Sequence, residues 1–229
     1  MHHATTIMMS TMISELRRIP SAVLLLVQLL GLLLYPWMEQ SPGGRALLSA
    51  FGLLVLGVAL WAVRRNQWLP WLALLLAIPV VVLSVIAGFA PTPGLTIAIA
   101  SLEAAFYFYA SGSMIAYMLE DPVATRDELF AAGATFTLLA WGFAYAFVVC
   151  QAAFPGSFGA AGDVNAPRTW MDLLYLSVMV LSSVGLSDIV PVTPMARAIV
   201  MLEAMAGIMY IALVVSRLIG FTLLARKPR

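Results

Sequence analysis

Long apolar segments separated by short polar breaks dominate the chain and predict a series of membrane-spanning helices. A helix needs about 20 apolar residues to cross a bilayer, with a range of about 17–25. Six segments meet this requirement, at residues 19–37, 46–63, 68–89, 95–119, 127–153 and 194–224. Proline–glycine turns and clusters of charged residues separate them. The pattern therefore predicts an all-α membrane protein with six transmembrane helices.

A seventh apolar segment, residues 169–181, is too short to cross a membrane. A segment of this length is either a buried core helix or a re-entrant helix, which enters the membrane and turns back. It lies between a loop of small residues at 155–163 and a polar stretch at 182–188. We expect Asp172 to cap the first turn of this helix.

Composition agrees with a membrane protein and excludes several functional classes. The chain has 229 residues, of which 62% are hydrophobic and 10% are charged, whereas soluble domains are about 25% charged. A net charge of +1 gives no electrostatic footprint for nucleic acid. The single cysteine, Cys150, excludes an internal disulfide and is expected to be a packing residue. No membrane-embedded histidine, paired aspartate or activated nucleophile motif is present, and Ser182, Ser183 and Ser187 have no base beside them, so the sequence does not predict an enzyme.

The distribution of lysine and arginine predicts the orientation in the membrane. Six spans place both termini on the same side. If that side is the cytosol, nine basic residues are cytosolic and three, Arg45, Arg168 and Arg197, are not. We therefore expect both termini in the cytosol and membrane lipids around the spans.

The polar stretch after the short helix reads Ser182-Ser183-Val184-Gly185-Leu186-Ser187-Asp188. This region resembles the pore domain of tetrameric potassium channels. The resemblance rests on the order of the short helix, the polar stretch, the turn Pro191-Val192-Thr193-Pro194 and the last span. The resemblance covers about residues 127–224 and is greatest to the small prokaryotic members. The family filter reads Thr-Thr-Val-Gly-Tyr-Gly-Asp. Here serine replaces both threonines and the second glycine, and leucine replaces the tyrosine.

The resemblance implies a division of the chain into three parts. Residues 1–18 form a cytosolic or interfacial segment, residues 19–121 a peripheral domain of four helices, and residues 122–229 a pore domain. The pore domain comprises an outer helix at 127–153, a pore helix at 169–181, a filter at 182–188 and an inner helix at 194–224. One filter segment cannot enclose a pore, so the resemblance and the geometry imply a homotetramer, expected in a prokaryotic inner membrane.

Filters of this family replace the hydration shell of a cation with rings of backbone carbonyls. The resemblance implies that the filter is formed by Ser182, Ser183, Val184, Gly185, Leu186 and Ser187, with K⁺ bound at Ser183, Val184, Gly185 and Leu186 and with Asp188 and Tyr175 as supports. Gly185 supplies a left-handed position without steric cost. Serine at such a position costs about 1–2 kcal/mol relative to glycine. Either Ser187 absorbs that strain, or the outer loop adopts another conformation.

Gating candidates lie on the last span. Gly207 occupies the place of the hinge glycine of the family, and close helix packing is the alternative. Glu203 is an intramembrane acid that hydrogen-bonds the pore helix or filter, senses protons, or forms a satisfied buried pair. A shared apolar face carries Ile208, Ile211 and Val215, which either gate by dewetting or form an ordinary apolar lining.

The fourth span, residues 95–119, contains no lysine or arginine, so little or no voltage sensing is expected. Its acid, Glu103, is expected to bond Ser84, Tyr107 or a neighbouring helix. The sequence thus predicts a potassium-conducting cation channel that needs no cofactor besides the permeant K⁺ ions. The alternatives are a weakly selective cation channel and a non-conducting membrane protein that retains the pore fold.

Overall fold

A computed structural model of the chain describes residues 19–40, 44–63, 70–90, 92–120, 125–160 and 166–225. The interfacial segment predicted for residues 1–18 lies outside these ranges. The elements in chain order are α1 (Pro20–Gln40), α2 (Gly44–Val63), α3 (Pro70–Phe89), α4 (Pro93–Glu120), α5 (Arg126–Ala153), β1 (Phe158–Ala160), α6 (Trp170–Leu181), β2 (Ile189–Pro191) and α7 (Pro194–Ala225). All seven predicted helices are present among the described residues.

Length and apolar composition qualify five of the described helices to cross a membrane: α1, α3, α4, α5 and α7. Helix α2, expected as the second span, is 20 residues long and includes an apolar stretch from Phe51 to Ala62. Helix α6 is apolar and too short to span, as the sequence predicts. The all-α membrane class is therefore confirmed.

Helix α5 is the centre of the molecule. Two-thirds of its spanning segment is buried (67%), against 17% for the spanning segments of α3 and α7. Helices α4 and α1 both pack on α5, while α2 packs on α1 and α3 on α4. Small residues permit these approaches, since Gly133 of α5 faces the side chain of Leu25 and Gly142 faces that of Phe108. Helices α1 and α4 therefore pack on α5 of their own chain, and α2 and α3 pack on α1 and α4.

An aromatic cluster joins the peripheral helices to the start of α6. Trp170, the first residue of α6, lies 5.2 Å from Trp141 of α5 and 5.7 Å from Tyr35 of α1, measured between ring centroids. Tyr107 of α4 stacks on Tyr145 of α5 at 5.7 Å, and Tyr145 lies 5.7 Å from Trp170. Aromatic pairs at these separations stabilise beyond their buried area. The cluster fixes the entry of α6 against three longer helices.

Two short strands form a small sheet that the sequence analysis does not predict. Residues 155–163 are expected as a loop, but β1 pairs antiparallel with β2, placing Phe158 opposite Pro191 and Ala160 opposite Ile189. Phe158 and Ile189 are buried beneath the sheet. Three-residue strands are too short to show an alternating pattern in sequence. The sheet ties the loop before α6 to the chain that leaves the polar stretch 182–188.

Candidate ion-conduction site

Helix α6 begins with two reciprocal hydrogen bonds. The Thr169 hydroxyl accepts from the backbone N–H of Asp172 (3.2 Å), and the Asp172 carboxylate accepts from the backbone N–H of Thr169 (2.9 Å). This capping box satisfies two helix-end donors and confirms the capping role predicted for Asp172. Just before it, the Gln151 carboxamide accepts from the Arg168 N–H (2.7 Å) and donates to the Arg168 carbonyl (3.1 Å). Helix α5 thereby holds the chain that enters α6.

Helix α6 ends in a Schellman motif formed by the first residues of the predicted filter. Ser183 has a left-handed φ of 62°. The N–H of Ser183 donates to the Val180 carbonyl (2.9 Å), and that of Val184 to the Met179 carbonyl (3.1 Å). The N–H of Gly185 also donates to the Met179 carbonyl, at 2.9 Å. The filter N–H groups therefore point back at the helix.

The inner carbonyls of the filter remain available to a ligand. Within the described part of the chain, no hydrogen bond is made to the carbonyl oxygens of Ser183 or Val184. Gly185 has a φ of 70°, which confirms its predicted left-handed conformation. Residues 183–186 are exposed in the single chain. Two successive carbonyl groups without a donor, next to a helix C-terminus, form an environment that favours a cation.

The outer half of the filter is arranged differently. The Gly185 carbonyl accepts from the Ser187 N–H (3.1 Å), and the Leu186 carbonyl accepts from the Tyr175 hydroxyl (2.8 Å). The Ser187 hydroxyl accepts from the N–H of Ile189, at 3.1 Å. Ser187 does not have positive φ, because Ser183 is the only described non-glycine residue that does. Of the two alternatives for Ser187, the structure shows the second, a different conformation of the outer loop.

The two predicted filter supports differ in their contacts. Tyr175 touches the filter directly through its bond to Leu186. Asp188 is exposed at the end of the filter, and no hydrogen bond joins it to another described residue. Beyond it, the hydroxyls of Ser157 and Thr193 lie 3.0 Å apart and close the base of the small sheet. Sequence reasoning missed this pair, because the two residues are far apart in the chain.

Glu203 is fully buried on α7 and contacts α6. The Ser177 hydroxyl is hydrogen-bonded to Glu203 Oε1 and lies 2.9 Å from the Ala140 carbonyl of α5. A hydroxyl has one proton, so both contacts are hydrogen bonds only if Glu203 is protonated and donates to Ser177 Oγ. The structure thus shows the pore-helix bond that was one of the predicted alternatives for Glu203. Ser177, which links three helices, was not predicted.

Gly207 lies against the last residue of α6. A Cβ added at Gly207 would overlap the carbonyl oxygen of Leu181 and lie 2.9 Å from its carbonyl carbon. The close-packing alternative for Gly207 therefore has a structural basis, and a hinge role stays a prediction. Tyr210, one turn further along α7, donates to the Ala132 carbonyl of α5. This face of α7 is the one that the chain covers.

The opposite faces of α7 are uncovered in the single chain. Ile208, Ile211 and Val215, the predicted cavity-lining residues, are all exposed. The exposed apolar residues of the same helix also include Met201, Leu202, Met205, Met209, Leu218 and Ile219. Apolar exposure on this scale requires lipid or another protein surface.

At the start of α5, a cluster of charged and polar residues joins α1 and α4 to α7. The Asp127 carboxylate accepts from the Ser21 N–H (3.2 Å), the Ser21 hydroxyl (3.0 Å) and the Tyr117 hydroxyl (3.2 Å). Its neighbour Glu128 caps α5 through Thr125 and forms a 3.0 Å ion pair with Arg217 of α7. Two adjacent carboxylates thus connect α1, α4, α5 and α7.

Glu103 of α4 takes the third of its predicted partners. Its carboxyl group interacts with the hydroxyl of Tyr145 on the neighbouring helix α5. Helix α4 contains no lysine or arginine, as read from the sequence. Among the described residues, no group of three or more histidine, cysteine, aspartate or glutamate side chains is placed to hold a metal ion.

Comparison with known proteins identifies the region that contains this site. Residues 133–223 match the family model described as "Ion channel". This segment is therefore similar to an ion-channel domain. It begins within α5 and ends within α7, so it includes α6 and residues 182–188. The remaining helices, α1 to α4, lie outside the matched region.

One curated relative is also an ion channel. Over 73 residues the chain is 33% identical to the inward rectifier potassium channel Kirbac3.1 of Paramagnetospirillum magnetotacticum. The alignment covers 31% of this chain and 25% of the relative, so the chain matches about a quarter of that protein's length. No solved structure matches the chain significantly. Both similarities are to ion channels, in agreement with the class of protein that the sequence resemblance predicts.

Proposed function

We propose that this integral membrane protein is a homotetrameric cation channel that conducts potassium through residues 182–188. The main observation in support of this proposal is the hydrogen bonding at the end of α6. Its Schellman motif directs three filter N–H groups back to Val180 and Met179. The carbonyls of Ser183 and Val184 are left without a hydrogen-bond donor in the described part of the chain. Four such strands around an axis would present rings of carbonyls, which is how potassium filters replace water.

The proposed ion ligands are the backbone carbonyls of Ser183, Val184, Gly185 and Leu186. The first two are free to coordinate, and the last two also accept bonds from Ser187 and Tyr175. A carbonyl oxygen has two lone pairs, so one bond does not exclude a second partner. We therefore expect the inner carbonyls to form the stronger sites.

The apolar surface of α7 supports assembly into a ring. Met209 and Leu202 of this helix are 71% and 62% exposed in the single chain. A single filter segment can line only one side of a pore. Fourfold symmetry would supply the other three sides. In this assembly Ile208, Ile211 and Val215 would line the cavity below the filter or the contact with a neighbouring subunit. Both termini are proposed to lie in the cytosol and the membrane to be a prokaryotic inner membrane.

We propose little or no voltage sensing. Moving one elementary charge through 100 mV supplies about 2.3 kcal/mol, so steep voltage dependence needs several basic residues in a moving helix. Helix α4 has none. A steep dependence of open probability on voltage would contradict this part of the proposal.

A weakly selective cation channel is the second candidate, and a specific observation favours it. The outer carbonyls of Gly185 and Leu186 are engaged within the chain, and Ser187 lacks the left-handed conformation. Fewer free carbonyl rings reduce the number and field strength of the dipoles around the ion. Potassium over sodium selectivity separates the two candidates.

The test is cation flux from purified protein reconstituted in liposomes, with potassium and sodium gradients run in parallel. Gly185→Ala places a Cβ on a residue with φ of 70°, at a cost of about 1–2 kcal/mol per subunit. It should abolish flux. Gly57→Ala is the matched control, because no atom lies within 4 Å of its added Cβ.

Three outcomes are informative. Potassium flux well above sodium flux, lost only in Gly185→Ala, supports the potassium channel. Equal fluxes lost in the same variant support the weakly selective channel. Flux that is absent in the wild type contradicts conduction and favours a non-conducting protein that retains the pore fold. Flux that survives Gly185→Ala contradicts conduction through this filter.

A further inference from the structure

The bond between Tyr175 and Leu186 reverses the chemistry expected of this filter. Leu186 stands where the family filter has a tyrosine, and its side chain cannot hydrogen-bond. The structure instead places a tyrosine on the pore helix, eleven residues earlier, with its hydroxyl 2.8 Å from the Leu186 carbonyl oxygen. The donor is therefore on the helix and the acceptor is a filter carbonyl. That carbonyl is one of the four proposed ion ligands.

The hydroxyl and a permeant ion require the same oxygen. A carbonyl that accepts a hydrogen bond from Tyr175 has one lone pair engaged, and its direction is fixed towards α6. Selectivity depends on the number and field strength of the carbonyl dipoles that face the ion. Within the described residues, Tyr175 is the one donor to the Leu186 carbonyl. Removing the hydroxyl would release the oxygen without changing the filter sequence.

We infer that Tyr175 is a specificity-determining residue, because its hydroxyl competes with the permeant ion for the Leu186 carbonyl and so weakens the outer ion site. The inference rests on the proposed function. It explains how one side chain outside the filter sets the strength of an outer ring of ligands. It also predicts that the inner sites, formed by Ser183 and Val184, are unaffected by Tyr175.

Tyr175→Phe removes one oxygen atom and keeps the ring. We expect the potassium-to-sodium permeability ratio, from reversal potentials in planar bilayers with unequal salts, to rise about fivefold, which is the factor one net hydrogen bond is worth. Tyr175→Leu also lacks the hydroxyl and should shift the ratio in the same direction, so the test does not depend on a single variant. Potassium titration of the purified protein by calorimetry gives a second readout and should show tighter binding.

The matched control is Tyr210→Phe. It also removes a tyrosine hydroxyl that donates to a backbone carbonyl, that of Ala132, but away from the filter. Its permeability ratio should equal that of the wild type. An unchanged or lower ratio in Tyr175→Phe, with a conducting wild type, overturns the inference and leaves the channel intact. Absence of potassium current in the wild type overturns the proposed function and this inference with it.

Discussion

Gly207→Ala should destabilise the protein by forcing α7 away from the end of the pore helix. The added Cβ would overlap the Leu181 carbonyl oxygen and lie 2.9 Å from the carbonyl carbon and 3.0 Å from the Cα. These are backbone atoms, which cannot move aside by changing a rotamer. Overpacking of this kind costs about 1–3 kcal/mol.

The displacement has a second consequence, because Leu181 immediately precedes the filter. A shift of its carbonyl moves the Schellman motif that positions Ser183 and Val184. We therefore expect reduced potassium flux together with reduced stability. For a chain of this size, the stability loss corresponds to roughly 2–12 °C in melting temperature, which a thermal scan of the purified protein in detergent resolves.

Gly112→Ala is the matched control for this experiment. Gly112 also lies inside a membrane helix, α4, and no atom lies within 4 Å of its added Cβ. Alanine there should be neutral or slightly stabilising. If Gly207→Ala melts at the same temperature as Gly112→Ala, the packing argument is wrong. If it keeps its stability and loses only channel opening, Gly207 acts as a hinge.

The remaining predictions concern the buried polar contacts and the strained serine. Glu203→Gln should change the free energy of unfolding by no more than about 1 kcal/mol, because glutamine mimics the protonated acid and still donates to Ser177. A large fall in melting temperature in a thermal scan would show that Glu203 is ionised. Arg217→Gln leaves the buried Glu128 without its ion-pair partner and should lower the free energy of unfolding by about 3 kcal/mol. In a double-mutant cycle, adding Glu128→Gln to the same chain should recover most of that lost stability. Ser183→Gly should raise stability by about 1 kcal/mol by relieving the left-handed strain, read as a higher melting temperature; a lower one would contradict the φ of 62°.

The helices were predictable because a bilayer sets their length. The short helix predicted at 169–181 runs from Trp170 to Leu181, and the long helix predicted at 127–153 runs from Arg126 to Ala153. The Thr–x–x–acid spacing before both helices is the sequence signature of a capping box. The sequence analysis predicts a capping role for Asp172 alone. The same spacing would also have predicted Thr169 and Thr125 as capping residues.

The features that escaped prediction depend on contacts between distant residues. The pairing of Phe158 with Pro191, and of Ser177 with Glu203, joins parts of the chain separated by 33 and 26 positions. A single sequence carries no signal for such pairs when each partner is an ordinary loop or helix residue. Gly207 was ambiguous for a related reason, since a hinge glycine and a packing glycine look identical in sequence. The position of Leu181 supports the packing role, and the hinge role stays a prediction.

The conformation of the outer filter was likewise left open by the sequence. The replacement of glycine by Ser187 signals either strain or a different loop, and the backbone adopts the different loop. The bond between Tyr175 and Leu186 is part of that arrangement. The substitutions could be read from the sequence, but the new hydrogen bonds that accommodate them could not.

Anomalous diffraction from crystals grown in rubidium, an electron-dense substitute for potassium, tests the central claim most directly. We predict a fourfold assembly with rubidium peaks on its axis, strongest between the carbonyl rings of Ser183 and Val184 and weaker towards Leu186. A protein that is not tetrameric, or a tetramer whose axis holds no rubidium beside these carbonyls, would contradict the assignment of residues 182–188 as the ion filter.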